Sequence, residues 1–297
     1  MWFPLTMLSA FGWALINVGN STLVAKFQKS PSLLLWSQTF VSMIFLGVIA
    51  LFYDIRTPWA YTIFPMAALA YFGDILFFWI LDKLDVSVVN AAWAILAVYM
   101  SIVGFIFFGE VWTMQQLAGA ALVLVGVFTL SFFSRQITFG RTIFLLALLA
   151  ITYVPAYGMR KAALHAGVPV IPVLFWTVLG RDSIAFVAPL LIPSQRRNII
   201  KTLPTCGPMF FILIAAVISC FYVAEFALTF AYQSGPVSLI SVVGNIQPFF
   251  VIFLAWAVAY FLPSLAAKEV FSKRSMTVKI GSFSIVFIGL ALLGVST

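Results

Sequence analysis

Apolar residues run almost without interruption through this chain, in about ten blocks, each long enough to cross a bilayer as a helix. A span of that kind needs about 17 to 25 residues. Of the 297 residues, 8 % are charged and 64 % are hydrophobic, and the mean hydropathy is +1.14. A soluble domain of this size has too much surface to carry so little charge. The chain therefore reads as an all-α, polytopic membrane protein. Its ten transmembrane helices are expected at 3–24, 33–53, 60–81, 86–108, 114–133, 141–162, 168–192, 208–232, 236–261 and 277–296. The seventh carries Arg181 and Asp182 near its middle. Splitting it there leaves two pieces too short to cross, so it is kept as one polar-interrupted helix. The N-terminal segment has no basic n-region and reads as a first span rather than a cleaved signal peptide.

Such short connections leave no room for a soluble catalytic or ligand-binding domain. Cys206 and Cys220 fall at or within one late apolar block, so no structural disulfide is expected. His165 is the single histidine, which argues against a His-based metal site. No Gly-rich phosphate loop with Lys-Ser/Thr is visible. The reading is of a protein that is not an enzyme and takes no cofactor or metal. The net charge of +8 sits mostly at span ends, where Lys and Arg reach the headgroups; nucleic acid is not expected as a partner. The partners are the lipid bilayer and a small-molecule substrate, with a monomer as the expected state.

The second half of the sequence echoes the first. Trp13 and Asn17 align with Tyr153 and Tyr157, Trp36-Ser37 with Trp176-Thr177, Asp74 with Glu225, and Gly119 and Gly126 with Gly281 and Gly289. The offset grows along the chain, as a duplicated unit with insertions in its second copy would show. The units are expected at 1–134 and 135–297. A five-span unit repeated in tandem has odd parity, so the two copies have opposite topology. Inverted repeats of this kind can exchange conformations and move access from one side of a central site to the other, which points to a transporter.

Ionisable groups inside apolar blocks are costly unless they face the bundle interior, a partner or water. Asp74 and Glu225 are the acids of the third and eighth blocks, and Asp182 lies in the seventh. These three are the candidates for proton coupling or gating. The bland alternative is that each locks two helices together. Arg181 is a candidate contact for an anionic substrate group, or a counter-charge to Asp74 or Glu225. Trp13, Asn17 and Asn20 share one helix face. Tyr153 and Tyr157, Asn90, Trp93 and Tyr99, Asn245 and Gln247, and Tyr222 add aromatic and amide groups from other blocks. A cavity of flat aromatics with a few amides suits a small amphipathic ligand. Trp13, Asn17, Trp93, Tyr157 and Arg181 are expected to line one central cavity between spans 1, 4, 6 and 7. Trp2 and Trp112 read as interfacial belt residues. The glycines of spans 5 and 10 read as close-packing positions. Pro155, Pro172 and Pro248 are places where a helix can bend, and Pro248 is expected to open a carbonyl toward the cavity.

The stretch from Asn90 to Val127, NAAWAILAVYMSIVGFIFFGEVWTMQQLAGAALVLVGV, resembles the end of the first EamA-type repeat of the drug/metabolite transporter superfamily. There a span ends in Gly-Glu, a short polar turn follows, and a Gly-containing span closes the repeat; Gly109-Glu110 and Gly119 match it. In the second copy Glu269 takes the Glu position and Gly281 follows. Lys268 stands where the family has Gly, and the basic stretch VFSKRSM intervenes. Arg181 resembles an Arg in the second helix of such repeats, and Gln38 lies near that position in span 2. The resemblance implies secondary transport of small metabolites or amino acids, with export as the expected direction and a bacterial inner membrane as the site. Its alternative is an exchanger of organic anions or phosphorylated metabolites using Arg181. Glu110 reads as an anchor at the membrane edge.

Orientation is drawn two ways. Family members are drawn with both termini in the cytoplasm. Twelve of the sixteen basic residues, however, fall around the connections after spans 1, 3, 5, 7 and 9, while the other connections carry Arg56, Arg160 and Lys161. The positive-inside rule places the rich connections in the cytoplasm and both termini outside.

Overall fold

Lipid offers no hydrogen bonds to a backbone, so a spanning chain satisfies its polar groups within helices. The computed structural model describes residues 1–27, 30–83, 89, 91–132, 139–261 and 273–295, and helices are the dominant element throughout. In chain order they are α1 Trp2–Phe27, α2 Pro31–Phe52, α3 Ala60–Ala68, α4 Ala70–Leu81, α5 Ala91–Phe108, α6 Met114–Phe132 and α7 Phe139–His165. Then follow α8 Val170–Leu191, α9 Pro193–Thr202, α10 Pro208–Ser234, α11 Val237–Gly244, α12 Gln247–Phe261 and α13 Lys273–Val295. Among the described residues six stretches are long and apolar enough to cross a membrane: Trp2–Phe27, Ser32–Phe52, Ala60–Leu81, Val170–Leu191, Pro208–Ser234 and Val237–Phe261. Ala92–Phe108, Met114–Gly126 and Ile280–Leu293 are shorter apolar helices. Large apolar side chains such as Leu51, Phe72, Phe107 and Phe287 point outward, as they do where the solvent is hydrocarbon. The protein is an integral membrane protein.

Among the described residues, expected and observed helix ends agree within a few residues, and α8 runs unbroken through Arg181 and Asp182; the expected start of the fourth span, at 86, lies outside the described residues. Two expected spans are interrupted. The third divides at Leu69 into α3 and α4, and the ninth divides at Asn245-Ile246 into α11 and α12. The second break has a local cause: Pro248 has no N–H to give the carbonyl four residues earlier, at Gly244. The chain there tightens into three-residue turns, with Asn245 N bonded to Val242 O at 3.0 Å and Ile246 N to Val243 O at 3.1 Å. Pro155 lies inside the continuous α7, and Pro172 lies in the first turn of α8. Asn90, Lys268 and Glu269 lie outside the described residues.

α6 lies along α13 and α1 along α10. α3 and α4 pack on α7, α5 on α7 and α11, α1 on α11 and α12, and α2 on α8. The short helix α9 carries exposed Arg196, Arg197 and Lys201 and buries Ile199. Asn198 ties it to the start of α2 by donating to Ser30 Oγ at 2.8 Å.

Candidate functional site

Where α1, α5, α7, α10, α11 and α12 converge, their inner faces leave an aromatic-walled cavity. Trp13, Trp93, Tyr157, Tyr232, Asn245 and Gln247 line it, together with Thr6, Ser9 and Ser241. It holds about 560 Å³ of empty space, including the part continuous with its mouth. A second cavity, of about 550 Å³ on the same measure, lies further along α1. Its wall carries Trp13, Asn17, Asn20, Gln38, Asp74, Trp93, Tyr153, Arg181 and Asp182. Trp13 and Trp93 belong to both walls, so the two indoles stand between the compartments. A smaller third space is lined by Tyr153, Tyr157, Arg160, Arg181, Phe221 and Glu225. The single cavity expected between spans 1, 4, 6 and 7 is thus divided, and spans 8 and 9 help to build it. Helical spacing shows which face of a helix points inward; it does not show that residues of two different helices line the same two cavities.

The aromatic residues form a connected series. Tyr157 meets Tyr232 edge to face, Tyr153 stacks on Tyr157, and Trp93 meets Tyr153 edge to face at 5.3 Å. Trp13 meets Phe221 edge to face at 5.7 Å. Such geometries suit the ring quadrupoles. Tyr99 and Tyr222 fall outside all three walls. Tyr222 instead pairs with Ser42, whose Oγ is 2.8 Å away, and stacks on Phe45. Gly244 and Asn245 reach the first cavity because the α11–α12 break lies on its wall, and Asn245 Nδ2 donates to Ser241 O at 2.8 Å.

The charged groups are paired more fully than their own helices indicate. Tyr153 Oη donates to Asp74 Oδ1 at 2.5 Å. Arg181 Nε donates to Asp182 Oδ1 at 2.7 Å, lies 3.6 Å from Asp74 Oδ2, and stands over the Phe221 ring at 4.4 Å. Two carboxylates, Asp182 and Asp74, thus face the Arg181 guanidinium at its Nε. Glu225 also has a cation: Arg160 Nη2 lies 2.5 Å from its Oε2. Arg160 counts among the basic residues of the connection after span 6, although that span is expected to reach 162. It sits inside α7 and is 2 % exposed, because its side chain turns into the bundle toward Glu225. The sequence signal was present: Arg160 falls seven residues after Tyr153 and so shares its inward face.

Lys161, the next residue, is also buried rather than in a connection. Its Nζ donates to the carbonyls of Tyr232 at 2.9 Å and Gly235 at 2.7 Å, at the C-terminal end of α10. A cation there complements the helix dipole. The N-terminal end of α11, two residues on, is held by Glu110. Its carboxylate accepts from Val237 N at 2.6 Å, from Ser238 N at 3.0 Å and from Ser238 Oγ. Gly109 at φ +61° makes the turn that carries Glu110 there, a conformation that costs a glycine little. The Gly-Glu pair thus fastens the end of α5 to the start of α11. Trp112, expected in the interfacial belt, donates to Ser238 Oγ at 2.8 Å, and Trp2 is buried against Gly235 rather than lying at the surface.

The glycines are kept apart from the cavities. A Cβ on Gly119 would lie 2.8 Å from the Gly289 carbonyl, and one on Gly289 would lie 2.6 Å from the Gly119 carbonyl. One on Gly126 would meet Val286 at 2.5 Å. Gly281 is the exception to the close-packing expectation: nothing lies within 4 Å of its Cβ position. Because α6 and α13 cross with Gly119 against Gly289, the Gly281 position is left facing outward.

No curated protein matches the sequence. One solved crystal structure superposes with a TM-score of 0.66 at 16 % identity, over 97 % of this chain and 95 % of its own. At that identity the likeness speaks for the fold alone. Over residues 1–132 the chain matches the family model of the EamA-like transporter family.

Proposed function

We propose that the protein is a secondary active transporter of small metabolites or amino acids. It works as an exporter of the drug/metabolite type, by alternating access around the central aromatic-lined cavity, and is a monomer in a bacterial inner membrane. The observation that carries the reading is the pair of aromatic-walled cavities inside an apolar bundle, each with a few polar groups and both lined by Trp13 and Trp93. Binding sites at mid-membrane between repeats are how such transporters hold their cargo. In this reading Asp74 is the acid that couples transport to protons, and the protein supplies binding and conformational exchange rather than bond chemistry.

The same reading takes the bundle as ten spans in two inverted units, 1–134 and 135–297. The six long apolar stretches, the three shorter ones and α7 supply the ten. The packing supports an exchange of halves. Swapping corresponding helices turns the α1–α10 contact into that of α7 with α3 and α4, and the α1 contact with α11 and α12 into that of α7 with α5. It leaves the α2–α8, α5–α11 and α6–α13 contacts unchanged. A thermal-shift screen of the purified protein against a metabolite library tests the function. A cargo raises the melting temperature with concentration, and a library in which no metabolite does so speaks against the reading.

A further inference from the structure

The cations and anions of the inner cluster do not balance. Glu225 is matched by Arg160. Arg181 alone faces two carboxylates, Asp182 and Asp74. Among the described residues around the second cavity, one negative charge is in excess. An uncompensated charge inside a bilayer is costly. The Asp182 side chain is fully buried, lines the second cavity, and has no hydrogen-bond partner for Oδ2 among the described residues. Asp74 Oδ2 likewise lacks a hydrogen bond and has only the 3.6 Å approach of Arg181. Nearby, Asn20 Oδ1 accepts from Gln38 at 2.7 Å, and Trp13 and Trp93 give the cavity aromatic walls. Ring faces of that kind attract cations. Two carboxylate oxygens on this wall, Asp182 Oδ2 and Asp74 Oδ2, are therefore short of a donor, and the wall is short of positive charge.

We propose that the second cavity binds the ammonium group of a small amphipathic molecule, with Asp182 and Asp74 as its polar contacts and Trp13 and Trp93 against its apolar body. That the molecule is a transported cargo rests on the function proposed above; the binding does not. An ammonium brings up to three donors and one positive charge, which are what the two carboxylate oxygens lack. A carboxylate brings neither and meets two acids already in place.

The test uses the full-length protein in lipid nanodiscs and three probes with the same phenylethyl body: phenethylamine, 2-phenylethanol and 3-phenylpropionate. Titration calorimetry is expected to rank the amine at least about tenfold tighter than the alcohol, with the carboxylate weakest. In Asp182→Asn the preference for amine over alcohol is expected to fall about tenfold, with the alcohol bound as before. If that variant does not fold, Asp74→Asn and the wild-type ranking decide. Equal binding of amine and alcohol, tighter binding of the carboxylate, or no binding of the amine overturns the proposal. Equal binding would mean that the excess charge is already neutralised within the protein. Tight amine binding by a protein that moves no solute across proteoliposomes keeps the subsite and rejects the transporter.

Discussion

Arg160 and Glu225 meet at 2.5 Å with both side chains 3 % exposed, and the contact joins α7 to α10. Removing one partner strands a charge among apolar residues, which costs about 3–5 kcal/mol. Glu225→Ala is therefore expected to lower folded yield and melting temperature sharply. The double substitution Arg160→Met, Glu225→Leu removes both charges and is expected to be more stable than the single one. Thermal melts of the detergent-solubilised variants check the order; a double variant that loses the sum of the two single losses contradicts it.

Gly119, Gly126 and Gly289 sit where two backbones nearly touch, and Gly281 does not. Gly126→Leu should reduce folded yield while the folded fraction keeps its ligand affinity, because the site lies outside all three cavities. Gly281→Leu should leave yield unchanged. Size-exclusion profiles of the two variants measure the contrast, and equal behaviour would refute the packing assigned to α6 and α13.

The Glu110 clamp adds charge-assisted hydrogen bonds to the start of α11. Hydrogen bonds to charged groups contribute about 1.5–3 kcal/mol. Glu110→Gln retains an acceptor oxygen but loses the charge, so its melting temperature should fall between wild type and Glu110→Ala. An unchanged melting temperature in Glu110→Ala would show that the contact adds no stability.

Helix boundaries were readable from the chain because lipid imposes one pattern: a long apolar run with polar ends. The cavity residues on α1, α5 and α7 were readable because Trp13, Trp93 and Tyr157 lie on faces marked by other polar residues. Three features were not. Arg160 lies on a readable inward face, but its pairing with Glu225 was not readable, because that residue is distant in sequence and on another helix. The α11–α12 break needed the position of Pro248 relative to Gly244 and not merely its presence. That Trp13 and Trp93 line both cavities depends on where α1 and α5 stand in the bundle, which no single helix encodes.

If Asp74 is the coupling acid, its removal should change how transport responds to pH. Flux through Asp74→Asn is expected to lose the pH dependence of wild type. The Arg160→Met, Glu225→Leu variant, if it folds, is expected to keep it. Proteoliposome flux at several pH values, normalised to folded protein, makes the comparison. A wild-type rate and pH response in Asp74→Asn would remove that residue from the coupling step.

The account rests most heavily on solute crossing the membrane through the divided cavity. The direct measurement is counterflow: proteoliposomes loaded with an unlabelled metabolite that stabilises the protein, then supplied with the same compound in labelled form. Wild type is predicted to accumulate label transiently and saturably, and Trp13→Ala and Trp93→Ala to do so at least about tenfold more slowly while remaining folded. Label uptake no faster than in protein-free liposomes, for every compound that stabilises the protein, would contradict the account.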